Sequence, residues 1–102
     1  MSVLNISKQQ NGEVLTVVAE GRIDSATSVQ FDSDIRSSLE GITSLIMEFG
    51  KLSYISSAGL RVLLSFHKIM IAKGGSLVIK NPTKMVTEVF QVTGFGDVLN
   101  IE

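Results

Sequence analysis

The pattern of apolar positions along the chain predicts four β-strands. Leu4 and Ile6 alternate with polar residues, which is a weak strand signal, and Asn11-Gly12 suits the tight turn of a hairpin. Three further runs are rich in Val, Leu and Ile at successive positions, as expected for strands buried on both faces. These runs are residues 13–19 (ended by Gly21), 44–49 and 76–79.

Apolar residues at helical spacing predict three helices between and after these strands. Phe31, Ile35 and Leu39 recur at i, i+4 and i+8 and form one apolar stripe. Asp24 or Ser25 is the expected N-cap of this first helix. The predicted helices are residues 25–40, residues 57–73, and a third that starts at Asn81-Pro82, with an Asn cap and Pro at the first helical position, and closes at Gly94.

The order of these elements, β-β-α-β-α-β-α, predicts a single small α/β domain spanning residues 1–102. Strands that alternate with helices pair in parallel through right-handed crossovers, and the N-terminal hairpin makes the sheet mixed. The tail, residues 98–102, is expected to form a short strand or a helical turn. We therefore expect a mostly parallel mixed sheet flanked by three to four helices.

Composition excludes several classes of protein. The chain has no Cys and one His, too few ligands for a zinc or iron–sulfur site, and we expect no metal and no cofactor. A net charge of −1 argues against a nucleic-acid partner. The longest apolar stretch, residues 58–72, is interrupted by polar and charged residues and predicts no membrane insertion, because a span needs about 20 apolar residues. The N-terminus lacks the pattern of a signal peptide, so we expect a cytoplasmic protein.

Three strand-to-helix loops are expected to share one edge of the sheet. Loops that follow parallel strands emerge at the same edge, where ligands tend to bind. Asp24, Ser57 and Asn81 should therefore lie on one rim, at the N-termini of three helices, where free N–H groups favour anions. Each of these residues also fits an ordinary role as a helix cap.

The second predicted helix contains two further features. Gly59 in its first turn indicates a close approach, either by a ligand or by the sheet itself. Val62, Phe66 and Ile69 flank the expected core stripe and indicate either a helix wedged between neighbours or an exposed patch for a protein partner.

No catalytic residues are predicted. His67 is ten residues along the same helix from Ser57, about 15 Å of helical rise, and so cannot act as its base. We therefore expect a protein that is not an enzyme.

The segment Tyr54–Arg61 (Tyr-Ile-Ser-Ser-Ala-Gly-Leu-Arg) resembles the signature of the STAS domains, and among them the bacterial anti-sigma factor antagonists. Gly21-Arg22-Ile23-Asp24 is similar to the family's Gly-x-hydrophobic-Asp at the end of the preceding strand. Residues 76–79 and 92–95 resemble later family positions more loosely. The resemblance extends over nearly the whole chain in order and length.

This resemblance implies a mixed sheet with helices and a function in partner switching. In the family, the unmodified antagonist binds an anti-sigma factor that is also a serine kinase of the histidine-kinase-like ATPase fold, which frees the sigma factor to activate transcription. Phosphorylation releases the antagonist, and a PP2C-type phosphatase reverses the modification. Carried over by position, the phosphorylated residue is Ser57, and Asp24 matches the acidic residue beside the acceptor. The partner-binding residues are expected to be Asp24, Ser25, Ser56, Ala58, Gly59, Leu60 and Arg61.

Two alternative functions stay open at this point, together with one alternative acceptor. Many phosphorylated members of the family have Asp where this chain has Ser56, which makes Ser56 a second candidate acceptor. Some STAS domains are never phosphorylated and serve as subunits of a larger assembly, such as a scaffold or a lipid-transport complex. The anion-favouring rim would also suit a small nucleotide-binding domain.

Overall fold

The computed structural model describes residues 4–102, in which the chain forms one five-stranded sheet with three α-helices. The sheet order is β1-β2-β3-β4-β5, with β1 antiparallel to β2 and every other neighbouring pair parallel. The strands are β1 (Leu4–Asn11), β2 (Val14–Ile23), β3 (Ser44–Ile55), β4 (Ser76–Lys80) and β5 (Asn100–Ile101). The helices are α1 (Thr27–Arg36), α2 (Ser57–Ala72) and α3 (Lys84–Thr93), and one turn of 3-10 helix, Phe95–Asp97, precedes β5. The predicted α/β fold with a mixed, mostly parallel sheet is confirmed.

The helices cover only one face of this sheet. Right-handed crossovers between strands that are added in one direction place every helix on the same side. Burial agrees, because Leu15, Val17 and Ala19 of β2 are fully buried while Thr16 and Val18 between them are half-buried. The prediction of strands buried on both faces is therefore wrong. The domain is a two-layer α/β structure with principal extents of 32 × 31 × 20 Å.

The strands are longer than the sequence pattern predicts. β2 does not end at Gly21 but continues to Ile23, with irregular register against β3 between Val18 and Glu20 and again between Gly21 and Arg22. Gly21 has φ 110°, a conformation that glycine adopts readily and other residues rarely do. β3 continues to Ile55, so the end of β3 is a strand where the sequence predicts a loop.

The first helix is shorter than predicted, because the chain turns before and after it. Ser25 and Ala26 form a turn, and α1 begins only at Thr27, so its N-cap is Ala26 and not the predicted Asp24 or Ser25. After Arg36 the chain leaves the helix, although Leu39 still packs in the core at 4% exposure. The ammonium of Lys73, just past the end of α2, donates hydrogen bonds to the carbonyls of Leu39 and Ile42. This contact fixes the connection between α1 and β3 against the end of α2.

The third helix begins later than predicted and has a different cap. Thr83 is its N-cap, with its hydroxyl oxygen accepting a hydrogen bond from the Val86 N–H at 3.3 Å. The same hydroxyl donates to the Leu52 carbonyl at 2.9 Å and so ties the start of α3 to β3. Asn81 has φ 54° and lies in the turn after β4, so the prediction of an Asn81 cap is wrong.

Candidate functional site

The candidate site lies where β2 and β3 end side by side. Ile23 and Ile55 are register partners in the parallel pair, and the Ser56 N–H donates to the Ile23 carbonyl at 2.8 Å. The two loops that follow these strands therefore leave the sheet next to each other. This arrangement brings the Asp24 turn beside the start of α2, as the sequence predicts.

Asn81, which is predicted to share a rim with Asp24 and Ser57, lies at a different place on the sheet. Asn81 follows Lys80, which pairs with Glu48 in the middle of β3, and its side-chain amide donates to the Glu48 Oε2 at 2.9 Å. β3 continues from there to Ile55, about 20 Å farther at roughly 3.3 Å per residue. The prediction that Asn81 shares a rim with Asp24 and Ser57 is wrong, because β4 is much shorter than β3.

Ser56 is the N-cap of α2. Its backbone is extended (φ −89°, ψ 173°), and its hydroxyl oxygen accepts a hydrogen bond from the Gly59 N–H at 3.3 Å. The Leu60 N–H donates to the Ser56 carbonyl at 2.9 Å, which closes the first helical turn. The half-buried hydroxyl of Ser56 is thus occupied in holding the start of the helix.

Ser57 is the first residue of α2 and is exposed. Within residues 4–102, its hydroxyl forms no hydrogen bond, so its oxygen and proton are both open to an incoming molecule. The two adjacent serines therefore differ in environment, although the sequence alone does not distinguish them.

The carboxylate of Asp24 caps the turn that leads into α1. Its Oδ1 accepts hydrogen bonds from the N–H groups of Thr27 at 2.8 Å and Ala26 at 3.0 Å. The backbone N–H of Thr27 is the main reason that the pKa of Asp24 lies below its usual range. The Thr27 hydroxyl, the Ala26 N–H and the charge of Arg22 lower the pKa further, against an opposing effect of desolvation. Asp24 is therefore ionised at neutral pH and belongs to a fixed local structure.

Thr27 is a structural residue of this site that the sequence analysis missed. Its hydroxyl oxygen accepts from the Asp24 N–H at 2.8 Å, and its single proton can be donated to the Arg22 carbonyl at 2.9 Å or to the Asp24 Oδ1 at 3.1 Å. Together with Asp24 it closes a reciprocal network around the turn. The available signal was Asp followed three residues later by Thr, which is a pattern of turns and helix starts.

The lowered pKa predicts how the stability contributed by Asp24 depends on pH. A carboxyl group with a folded-state pKa below its unfolded value, about 3.9, stabilises the protein above that pH and loses the contribution as pH falls through the folded pKa. We expect the melting temperature of the wild type to exceed that of Asp24→Asn most at pH 5–7 and progressively less below pH 4. Thermal melts of both proteins from pH 7 to pH 2 test this. A difference that is independent of pH contradicts the assignment.

Gly59 permits close packing of α2 on the sheet. A Cβ at this position would lie 2.6 Å from Cγ2 of Ile23 and 2.8 Å from Cγ1 of Ile55. Both isoleucines are buried at 0% and 1% exposure and have no room to move aside. Of the two explanations that the sequence leaves open for Gly59, approach of the sheet is the one that the structure supports.

The predicted partner-binding residues divide by burial. Ser25 and Arg61 are exposed, and Asp24, Ser56 and Ala58 are half-buried. Gly59 is buried and Leu60 is only 2% exposed, so both pack against the sheet instead of forming surface. Gly59 and Leu60 therefore present little surface to a partner in this arrangement.

The extra apolar residues of α2 belong to the core. Phe66 is fully buried and packs on Phe31 of α1, with ring centroids 5.7 Å apart. Val62 and Ile69 are half-buried and pack against the same core. The interpretation of α2 as a helix wedged between neighbours is therefore supported over that of an exposed apolar patch.

Residues 4–102 present neither a cluster of metal ligands nor a membrane-spanning helix. The His, Cys, Asp and Glu side chains described there form no group of three or more that could hold a metal ion. None of the helices described is long and apolar enough to cross a membrane.

Comparison with known proteins identifies the family. The family model described as "STAS domain" matches residues 5–102. The chain belongs to the STAS domain family. Among curated relatives, BtrV of Bordetella bronchiseptica, a candidate anti-sigma factor antagonist by name, is 34% identical over 83 residues, covering 80% of this chain and 72% of BtrV. The anti-sigma-B factor antagonist of Bacillus subtilis is 26% identical over 98 residues, covering 96% of this chain and 90% of that protein.

Solved structures share the fold of this STAS domain. The unphosphorylated form of the anti-sigma factor antagonist SpoIIAA superimposes with a TM-score of 0.84 at 23% identity, covering 96% of this chain and 88% of SpoIIAA. An anti-sigma factor antagonist from Mycobacterium paratuberculosis gives a TM-score of 0.86 at 15% identity, covering 96% and 84% of the two chains. At these identities the structural similarity establishes the fold alone.

Proposed function

We propose that this STAS domain is an anti-sigma factor antagonist that works by phosphorylation-controlled partner switching. Unphosphorylated, it binds an anti-sigma factor serine kinase and thereby frees the sigma factor to activate transcription. The observation that carries the proposal is that Ser57, at the start of α2, is exposed and its hydroxyl forms no hydrogen bond within residues 4–102. It lies beside the turn that contains the ionised carboxylate of Asp24. The names of its relatives BtrV and the anti-sigma-B factor antagonist support the same function.

Ser57, and not Ser56, is the proposed phosphate acceptor. A kinase needs the hydroxyl oxygen to attack the γ-phosphorus of ATP, and the Ser57 oxygen is exposed for this purpose. The Ser57 Oγ–P bond forms as the bond from the γ-phosphorus to the bridging oxygen breaks, ADP leaves and the hydroxyl proton is lost. The Ser56 residue is instead half-buried, and its hydroxyl oxygen already accepts the hydrogen bond from Gly59 that caps α2, so it is less open to a kinase.

The phosphate would act on the complex through charge. Phosphorylation adds a charge of about −1.5 to −2 at neutral pH. In the free domain that charge lies at an exposed helix N-terminus, which favours anions. In a dry interface beside Asp24, it would meet like-charge repulsion and a desolvation cost, and a few kcal/mol suffice to move a complex from mostly bound to mostly free. The switch needs no conformational change in the domain.

The proposed partners follow from the family. The kinase would have the histidine-kinase-like ATPase fold, and a PP2C-type phosphatase would hydrolyse the phosphoserine to serine and inorganic phosphate. The proposed partners control a sigma factor and through it transcription, so we place the protein in the cytoplasm. The proposed contact surface consists of the accessible residues around the acceptor, namely Asp24, Ser25, Ser56, Ser57, Ala58 and Arg61.

The experiment that tests this function is the intact mass of the protein isolated from its native cells, followed by mapping of the modified residue. We expect a mixture of unmodified chain and chain carrying one phosphate on Ser57. A strain that expresses Ser57→Ala is the control and should yield only the unmodified mass. A phosphate on Ser56 would contradict the acceptor assignment. No phosphate under any growth condition would contradict the switch and favour a non-switching subunit of a larger assembly.

A further inference from the structure

Arg61 lies in α2, four residues after the proposed acceptor Ser57, and its guanidinium has no binding partner among residues 4–102. The guanidinium of Arg36 pairs with Asp32 at 2.8 Å and donates to the Ser65 hydroxyl at 2.8 Å. Arg22 stacks on the ring of Tyr54 at 4.5 Å. Arg61 is exposed, and within residues 4–102 it forms no ion pair, hydrogen bond or ring contact.

The spacing of Ser57 and Arg61 makes them neighbours on α2. Both belong to the same helix and are four residues apart. Side chains at i and i+4 have Cβ atoms about 5–6 Å apart, and helical side chains lean toward the N-terminus. The Arg61 side chain can therefore reach back toward Ser57. An anion that precedes a cation by four residues is also the more favourable order of such a pair.

We propose that Arg61 binds the phosphate of phosphorylated Ser57 within the same chain, as a charge-assisted pair between the guanidinium fork and the phosphate oxygens. The source of the phosphate rests on the proposed function, but the pair itself depends only on residues of this chain. Phosphorylation would then change the partner surface in two ways. It adds negative charge beside Asp24, and it withdraws the Arg61 cation from any carboxylate that the partner presents to it.

The pair has a direct readout in the second ionisation of the phosphate, which has a pKa near 6. A nearby cation favours the dianion and lowers that pKa. We would incorporate phosphoserine at position 57 during translation and titrate it by phosphorus NMR at low salt. The expected pKa in the wild type lies about 0.3 unit below that in Arg61→Gln, a twofold change in the ratio of the two ionised forms.

Three further measurements separate the pair from a general effect of charge. Arg61→Lys should retain most of the shift, because the cation is kept. Lys68→Gln removes an exposed cation from the same helix about 16 Å away along its axis and should leave the pKa unchanged. The difference between wild type and Arg61→Gln should also vanish at about 1 M salt, where the screening length is about 3 Å.

Equal phosphate pKa values in wild type and Arg61→Gln would overturn the proposal, as would a shift of the same size in Lys68→Gln. Amide spectra of each variant should show that the fold is retained, because Arg61 and Lys68 are both exposed. Since the phosphate is introduced during translation, the result is independent of whether a kinase modifies Ser57 in cells. Failure of the pair and failure of the proposed function are therefore distinguishable, the latter by the intact-mass experiment.

Discussion

Replacing Ser57 with Asp is expected to weaken the complex with the proposed partner, an anti-sigma factor kinase, by about 10- to 100-fold, equivalent to about 1.4–2.8 kcal/mol. Asp introduces a fixed negative charge at the exposed start of α2, beside the ionised Asp24. Like charges brought together in an interface cost up to several kcal/mol. Asp carries less charge than a phosphate, so the phosphorylated protein should bind more weakly still.

The measurement is a calorimetric titration of the kinase with each variant in parallel. Ser57→Ala should bind within about threefold of the wild type, because it removes one hydroxyl and adds no charge. In the presence of ATP, the Ser57→Ala complex should persist while the wild-type complex dissociates. Ser33→Asp, which adds the same charge at an exposed position of α1, is the matched control and should bind normally. If Ser57→Asp binds as tightly as the wild type, the switch mechanism fails.

Replacing Gly59 with Val is expected to lower the free energy of unfolding by about 3 kcal/mol, at the upper end of the usual cost of overpacking a core. The added Cβ would come within 3 Å of two buried isoleucines, Ile23 and Ile55, which are themselves register partners at the ends of β2 and β3. To relieve this steric clash, α2 must move away from the sheet at the turn that contains Ser57. Stability and the position of the proposed acceptor are thus coupled through one glycine.

Urea denaturation of Gly59→Val and a matched glycine variant tests this. In Gly96→Val the nearest atom to the new Cβ is 3.8 Å away, an ordinary contact, and the loss should stay below about 1 kcal/mol. We also expect Gly59→Val to bind the kinase more weakly, even at temperatures where it is fully folded. A loss in Gly59→Val no larger than that in Gly96→Val would show that the first turn of α2 tolerates a side chain.

The hydrophobic pattern predicts the order and type of the elements because most of them carry an apolar stripe or run. The main error of the prediction concerns how many faces of the sheet the helices cover. Val18, Ile46 and Val78 lie on the open face and are half-buried, although their residue types are those of a strand interior. β-branched residues favour the extended backbone whether or not a second layer covers them. Composition alone therefore does not distinguish a two-layer from a three-layer arrangement.

The ends of the elements were harder to predict than their centres. The late part of β3 contains Lys51 and Ser53, and the irregular pairing with β2 breaks the alternation that marks a strand. At the site, the motif predicts the position of Ser57 correctly as the start of a helix. Cap assignments depend on side-chain geometry, which is why Thr83 replaces Asn81 at the start of α3.

The consecutive order of the strands also has a consequence for how the chain assembles. Within residues 4–102, each strand pairs only with strands next to it in chain order, so each pairing can form as soon as the next strand has been made. Pairing between strands that are adjacent in chain order closes a shorter loop than pairing between more distant strands, which lowers its entropic cost. Asp24 and Ser57 are held by β2, α1, β3 and α2, all of which precede β4. During synthesis, the pairing that positions both residues can thus begin before the last quarter of the chain has left the ribosome.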